Sequence, residues 1–221
     1  MLEGSRLLKY LPTVIIPAIW VTLKIIAAAA VFSIFFGIIL GTILVVTGRD
    51  GLLPNKVIHF ILEKITDIIR SFPTMILIVA LIPVTRAVIG TSIGTGAAIF
   101  AITVGCTPFA ARMTETALLT VDSQLIRAAQ SMGASNFQIL TKVMLVEALP
   151  VLVSNFTIML INMLNMSAMA GALGAGGLGA VALTYGYQRF DDAIMYFVVA
   201  ILIVIVLIIQ KLATLLYKKL K

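Results

Sequence analysis

Residues 121–142 read Val121-Asp-Ser-Gln-Leu-Ile-Arg-Ala-Ala-Gln-Ser-Met-Gly-Ala-Ser-Asn-Phe-Gln-Ile-Leu-Thr-Lys142, a sustained polar interruption between two long apolar segments. The pattern predicts two short helices joined at Gly133, which can take the left-handed conformation that ends the first helix. Asp122 or Ser123 can cap the first helix, and Ser135 can cap the second. Four apolar residues at helical spacing predict one apolar face on the first helix: Leu125, Ala128, Ala129 and Met132.

The composition predicts an integral membrane protein. Of 221 residues, 61% are hydrophobic and 11% are charged, with a mean hydropathy of +1.16, which is more apolar material than a soluble core needs. The apolar run from Ile15 to Val46 is too long for a secretory signal peptide, so we expect it to remain as a span. The single Cys106 excludes an intrachain disulfide and a multi-cysteine metal site, and we expect it to pack in the apolar interior.

Long apolar segments predict an all-α, polytopic membrane protein that forms one domain over residues 1–221. About 20 apolar residues cross the hydrocarbon, and five segments meet this length. The predicted spans lie at about 18–46, 57–86, 94–115, 143–167 and 192–216. An odd number of spans places the two termini on opposite sides of the membrane.

The distribution of the 16 lysines and arginines predicts the orientation. The side of the membrane with the larger basic set is expected to be the cytoplasm, which places the N-terminus outside and the C-terminal tail inside. The smaller set is Arg6, Lys9, Lys24, Arg86 and Arg189. The larger set is Arg49, Lys56, Lys64, Arg70, Arg112, Arg127, Lys142, Lys211, Lys218, Lys219 and Lys221.

Two local patterns predict contacts of the first two spans. Gly37 and Gly41 are four residues apart and allow close helix approach, which we expect from a helix of the same chain, with a dimer seam as the alternative. Glu63 and Asp67 share a face of the second segment, so we expect ion pairing at the cytoplasmic interface. The lone His59 has no second metal ligand in sight.

The fourth predicted span carries a polar stripe. Two interpretations stay open: hydrogen bonding and packing between helices, or a water-accessible pathway lined by amides and thioethers. At 100° per residue, the stripe residues lie within about 40° of one line. They are Asn155, Met159, Asn162, Met166 and Met169, with Asn165 at the edge.

A glycine-rich stretch follows at residues 167–179, Ser167-Ala-Met-Ala-Gly-Ala-Leu-Gly-Ala-Gly-Gly-Leu-Gly179. It is apolar but contains too many glycines for a plain helix interior, so we expect a helix break near the outer surface followed by a re-entrant or loop segment. It is not a phosphate-binding loop, because no Gly-Lys-Ser/Thr closes it.

The residues argue against several chemistries. Catalysis is disfavoured because the chain has no Cys/His pair, HExxH motif or carboxylate cluster. DNA binding by residues 121–142 is disfavoured because Arg127 and Lys142 are its only strong cations. Spans three to five carry no acidic residue at mid-membrane, since Glu147 lies in the first turn or so of the fourth. An ion-coupled secondary carrier and a membrane anchor for another complex remain alternatives.

The stretch from Ile126 to Pro150 resembles the EAA loop of ATP-binding cassette importer permeases (type I). In that loop an alanine pair precedes a glycine, and an isoleucine and a proline follow at set distances, as Ala128-Ala129, Gly133, Ile139 and Pro150 do here. Four further stretches resemble methionine-uptake permeases, at residues 86–94, 103–115, 167–179 and 185–187.

The resemblance implies an assembly rather than an enzyme. Two copies of the permease, two ATP-binding cassette ATPases and an extracytoplasmic substrate-binding lipoprotein are expected in the bacterial cytoplasmic (inner) membrane. ATP and magnesium are expected on the ATPase partner, with no cofactor in this chain and no nucleic acid. The expected cargo is an amino acid, most specifically methionine, with a different amino acid or small solute as the alternative.

The resemblance implies that the loop at about 121–143 is a coupling helix that docks on the ATPase. For the mechanism we expect alternating access, in which the polar stripe lines the translocation pathway and the glycine-rich stretch forms the outer gate. The motif glutamate is Arg127 here, so we expect docking to rest on apolar burial and Gly133. The coupling residues are Gln124, Leu125, Ala128, Ala129, Met132, Gly133, Ala134 and Ser135; the pathway residues are Asn155, Met159, Asn162, Asn165 and Met166; the gate residues are Met169, Gly171, Gly174, Gly176 and Gly177.

Overall fold

Helices account for nearly all of residues 7–220, which are the residues described by the computed structural model, and no strand occurs among them. Wide π-helical turns at Leu11–Ile15, Ile139–Met144, Gly171–Ala175 and Ala182–Tyr187 connect several of the helices. The α-helices are α1 (Leu7–Tyr10), α2 (Ile16–Thr47), α3 (Lys56–Ser71), α4 (Thr74–Ala80), α5 (Ile82–Ile89), α6 (Thr95–Leu118), α7 (Ser123–Ser131), α8 (Asn136–Gln138), α9 (Leu145–Ala170), α10 (Gly177–Val181) and α11 (Asp192–Leu220).

Four helical segments are long and apolar enough to cross a bilayer: Leu7–Thr47, Thr95–Leu118, Asn136–Ala175 and Asp192–Leu220. They confirm the all-helical, polytopic class and match the first, third, fourth and fifth predicted spans. Two of the basic residues used for the orientation, Arg6 and Lys221, lie outside the described residues.

The predicted second span, at about 57–86, is wrong as a single helix. The chain there forms α3, α4 and α5 in succession. Pro73 precedes α4 in an extended conformation, with φ −56° and ψ 130°, and proline has no N–H with which to continue a preceding helix. Helix α5 continues to Ile89, and Gly90 ends it at φ +85°.

Helix α3 directs Glu63 and Asp67 towards Arg112 and carries an apolar face outwards, while Lys56, Lys64 and Arg70 are exposed. The Arg112 guanidinium lies 2.7 Å from the Asp67 carboxylate and 3.9 Å from Glu63. Arg112 also binds Glu115 at 2.8 Å. The ion pairing predicted for this helix is therefore present, although its centre is an arginine of α6. The exposed apolar face of α3 includes Val57, Ile61, Ile65 and Ile68.

The described chain divides into two compact units. Residues 7–32, 72–106 and 160–210 form the first, and residues 33–71, 107–159 and 211–220 form the second. In the second unit, Gly37 packs directly on Ala110, and Gly41 packs on Ala111 and Thr114. A methyl group at either glycine would overlap these atoms, so the prediction of close approach by a helix of the same chain is confirmed.

The core of the second unit lies beneath residues 121–143. It contains Ala129 of α7, which is 6% exposed, and Ile139, which is fully buried. Val121 is a third member from this stretch, and α2, α6 and the chain from Met144 onwards supply the others, so the stretch is anchored on packed helices. The cluster is Val45, Ala117, Leu118, Val121, Ala129, Ile139, Met144, Ala148 and Leu152.

Candidate functional site

We call residues 121–143 the coupling segment. Asp122 caps α7, because its Oδ1 accepts a hydrogen bond from the Gln124 N–H at 2.8 Å. Gly133 has φ +79° and follows the end of α7 in the left-handed region, as predicted. Both ends of the first helix are therefore fixed by residues that the sequence indicates.

The second short helix begins with a reciprocal cap. Ser135 Oγ accepts from the Gln138 N–H at 3.3 Å, and the Gln138 side chain accepts from the Ser135 N–H at 2.9 Å. The Asn136 amide donates to the Leu52 carbonyl at 3.4 Å, which ties the segment to the loop after α2. These hydrogen bonds fix the conformation of the coupling segment, so its exposed side chains form a defined surface.

The two faces of α7 differ from the prediction. Ala129 is buried in the core and Ile126 packs against that core. Leu125 is 44% exposed and Met132 is 82% exposed. The predicted apolar face is therefore divided in its burial: Ala129, at its edge, packs on the core, whereas Leu125, Ala128 and Met132 are exposed. Ala128, Gln124 and Ser135 are exposed, and Ala134 is half-buried.

Phe137 was missed by the sequence analysis. Its ring is 73% exposed in the coupling segment, between two residues of the reciprocal cap. A phenylalanine between the polar residues Asn136 and Gln138 is a signal for a binding surface that could have been read from the sequence. We call Leu125, Ala128, Met132 and Phe137 the exposed apolar set.

The polar stripe of α9 is split between buried and accessible positions. Asn155 donates from its amide to the Met113 carbonyl at 2.9 Å, and Met159 is fully buried. Met166 is 4% exposed, with its sulfur 3.2 Å from Cys106 Sγ. These three side chains pack and hydrogen-bond within the described chain.

The accessible side of α9 is rotated from the predicted stripe. Asn162 is half-buried, Asn165 is exposed and Met169 is 43% exposed. Ser154 and Ile158 are exposed on the same side, at helical spacing with Asn165. Neither was predicted, because a serine and an isoleucine are unremarkable in an apolar helix.

The glycine-rich stretch breaks the helix as expected. Helix α9 ends at Ala170, and α10 starts at Gly177. The backbone between them leaves the helical region at three glycines with positive φ: Gly174 (+96°), Gly176 (+80°) and Gly177 (+77°). The Gly94 N–H donates to the Gly174 carbonyl at 3.1 Å. The buried Thr22 accepts from the Leu178 N–H at 2.9 Å through its Oγ1. Gly171 is buried.

Thr22 is therefore a second residue that the sequence analysis missed. It lies 156 positions from Leu178 along the chain, and no local pattern indicates that pairing. The bond satisfies a backbone donor at the start of α10, where helix N–H groups have no partner inside the helix. Within residues 7–220, no group of three His, Cys, Asp or Glu side chains could hold a metal ion.

Comparison with known proteins gives consistent matches. The family model described as "Binding-protein-dependent transport system inner membrane component" matches residues 33–221. A probable D-methionine transport system permease protein MetI of Vibrio cholerae is 46% identical over 205 residues, covering 93% of this chain and 91% of that protein. The MetI protein of Escherichia coli K12 is 42% identical over 149 residues, covering 67% and 69%.

Solved structures match over nearly the whole chain. A chain of the MetNI methionine ABC transporter in inward-facing conformations is 40% identical, with a TM-score of 0.92, and the match covers 94% of this chain and 96% of that one. An amino acid ABC transporter crystallised with histidines matches with a TM-score of 0.80 at 21% identity, which shows a shared fold.

Proposed function

Because the chain belongs to the inner membrane components of binding-protein-dependent transport systems, we propose that it is the permease subunit of an ATP-driven importer for methionine. The substrate is supported by relatives named as D-methionine transport permeases and by the likeness to the MetNI methionine transporter. As a permease it spans the inner membrane several times, and ATP hydrolysis is the work of a separate subunit.

The observation that carries the proposal is the exposed apolar set on a well-anchored segment. Leu125, Met132 and Phe137 expose large apolar surface, while Ala129 and Ile139 fix the same segment to the core. Such a surface is typical of a docking site for another protein. We infer that an ATPase subunit covers it and transmits its closure through α7.

The proposed complex contains two permeases, two ATPases and a substrate-binding lipoprotein. ATP and magnesium bind the ATPase subunits, so this chain needs neither. Closure of the ATPases moves the coupling segments, and the permeases change the side of the membrane to which the pathway opens. The accessible side of α9, with Asn162 and Asn165, lines that pathway, and Met169, Gly171, Gly174, Gly176 and Gly177 belong to the outer gate.

We retain five crossings with the N-terminus outside. The second crossing is assigned to α3, α4 and α5 together, in one permease domain. Its support is the outward apolar face of α3 combined with the placement of its two carboxylates, Glu63 and Asp67, around Arg112. A helix with that arrangement suits an apolar surrounding, because charges in a membrane are stabilised only by partners inside the protein.

Replacing Met132 by glutamate tests the docking proposal. The charge would enter an apolar contact without a partner, so we expect the tagged permease to recover much less ATPase from detergent extracts. Gln138→Glu is the matched control, since it adds the same charge nearby and glutamate also supports the reciprocal cap. Equal ATPase recovery by the two variants would contradict docking on this set.

A further inference from the structure

A cavity of about 610 Å³ lies in the second unit beside α7. We call it the α7 cavity, and it has two kinds of lining. Its apolar part includes Leu44, Val45, Leu118, Ile126 and Met144, and its polar part includes Arg49, Asp50, His59, Glu115 and Arg127. Its size falls in the range of small-ligand sites in proteins, and its lining suits an amphiphilic molecule.

The position of the cavity suggests the depth of lipid headgroups. Two of the membrane-spanning segments end at its lining, one at Thr47 and the other at Leu118. Arg49 follows the first end by two residues, and Val121 follows the second by three. The lining therefore passes from apolar helix to polar chain, which is the change that occurs where hydrocarbon meets headgroups.

The charges of the polar part favour an anion. Arg49 and Arg127 are both exposed, and neither makes an ion pair with any residue between 7 and 220. The carboxylate of Glu115 is only 9% exposed and is held by Arg112 at 2.8 Å, so its charge is compensated within the protein. Of the two carboxylates in the lining, only Asp50 is left to oppose the positive charges of Arg49 and Arg127.

We propose that the α7 cavity binds an anionic phospholipid. Guanidinium groups bind phosphate oxygens in a bidentate manner, so Arg49 and Arg127 receive the phosphodiester. The acyl chains lie along the accessible apolar side chains of the lining, at Leu52, Leu119 and Ile126. Basic pockets at the cytoplasmic ends of membrane helices recognise anionic headgroups by this combination of charge and apolar surface.

The anion preference of the α7 cavity depends on Arg127, a residue in which this chain departs from the EAA loop. The EAA loop has a glutamate at this position, and a glutamate there would leave Arg49 facing two carboxylates. The lining would then carry a net negative charge and would repel a phosphate. The proposal goes beyond the proposed function, because lipid binding at this cavity requires neither methionine nor an ATPase.

Native mass spectrometry of the purified full-length permease in detergent tests the proposal. The protein is titrated with phosphatidylglycerol or with phosphatidylcholine, and lipid-bound forms are counted. We expect the wild type to prefer phosphatidylglycerol, and Arg127→Glu and Arg49→Glu each to weaken that binding about 10-fold or more. Lys142→Glu is the control, because Lys142 is exposed in the coupling segment but does not line the cavity.

Three results would overturn the proposal. The first is equal binding of the two lipids by the wild type. The second is wild-type phosphatidylglycerol binding by both arginine variants. The third is displacement of the bound lipid by millimolar inorganic phosphate, which would assign the arginines to free phosphate. Loss of lipid binding in Arg127→Glu while the ATPase still associates would separate this site from docking.

Discussion

Gly133 offers the sharpest test of the coupling segment, because its backbone and its surroundings can be perturbed separately. Its backbone has a φ of +79°, a conformation that residues other than glycine rarely adopt. A methyl group built on it would meet nothing within 4 Å. Alanine or leucine there therefore costs about 1–2 kcal/mol of backbone strain, and the methyl group of alanine adds no steric contribution from the permease itself. Asparagine tolerates this conformation and costs less.

The expected affinity of each Gly133 variant for the ATPase follows from this backbone strain and from the size of the new side chain. Strain of that size lowers the equilibrium constant between the native turn and its alternatives about 5- to 30-fold, so Gly133→Ala should weaken association by up to that factor. Gly133→Asn should stay close to wild type. Gly133→Leu should be weaker than alanine, because its longer side chain meets the docked ATPase, and it should also lose coupled uptake.

Binding of the ATPase to permease in nanodiscs measures these affinities, with radiolabelled uptake as the functional readout. Gly90→Leu is the matched control, because Gly90 has φ +85° and open space around it, but lies outside the coupling segment. If leucine and alanine at 133 weaken association equally, the ATPase does not cover Gly133. Normal uptake by Gly133→Leu would refute the role of this turn in coupling.

Three further predictions concern single side chains. Arg127→Glu should keep the ATPase associated, because docking rests on apolar contact; complete loss of the complex in a pull-down would show that the charge matters. Thr22→Val should destabilise the permease by about 1–3 kcal/mol in thermal unfolding, since the Leu178 N–H loses its acceptor, whereas Thr22→Ser should retain most stability. Thr42→Val is its control, because the buried Thr42 hydroxyl has no partner among residues 7–220, and equal effects of the two valines would contradict the role of Thr22. Asn162→Leu should lower uptake at unchanged ATPase association, and normal uptake would assign Asn162 to packing.

Local features were predictable because they depend on neighbouring residues. The caps at Asp122 and Ser135 and the left-handed Gly133 follow from hydrogen-bonding groups within three residues. The close approach at Gly37 and Gly41 follows from the absence of side chains on one helix face. Four spans follow from the length of their apolar runs.

Features set by distant partners were not predictable from periodicity. The inward direction of Ala129 depends on the core beneath α7, since helical spacing shows which residues are apolar but not which side is covered. The bond of Thr22 to the start of α10 and the ion pair of Arg112 with Asp67 join residues far apart in sequence. The break before α4 could have been expected from Pro73 alone.

Reconstituted transport tests the central claim most directly. Proteoliposomes containing the permease and its ATPase, supplied with the binding protein and methionine, should accumulate methionine only when ATP is available to the ATPase. Wild-type complexes should transport, and Met132→Glu complexes should not. Accumulation driven by a proton or sodium gradient, by the permease without an ATPase, would contradict the account.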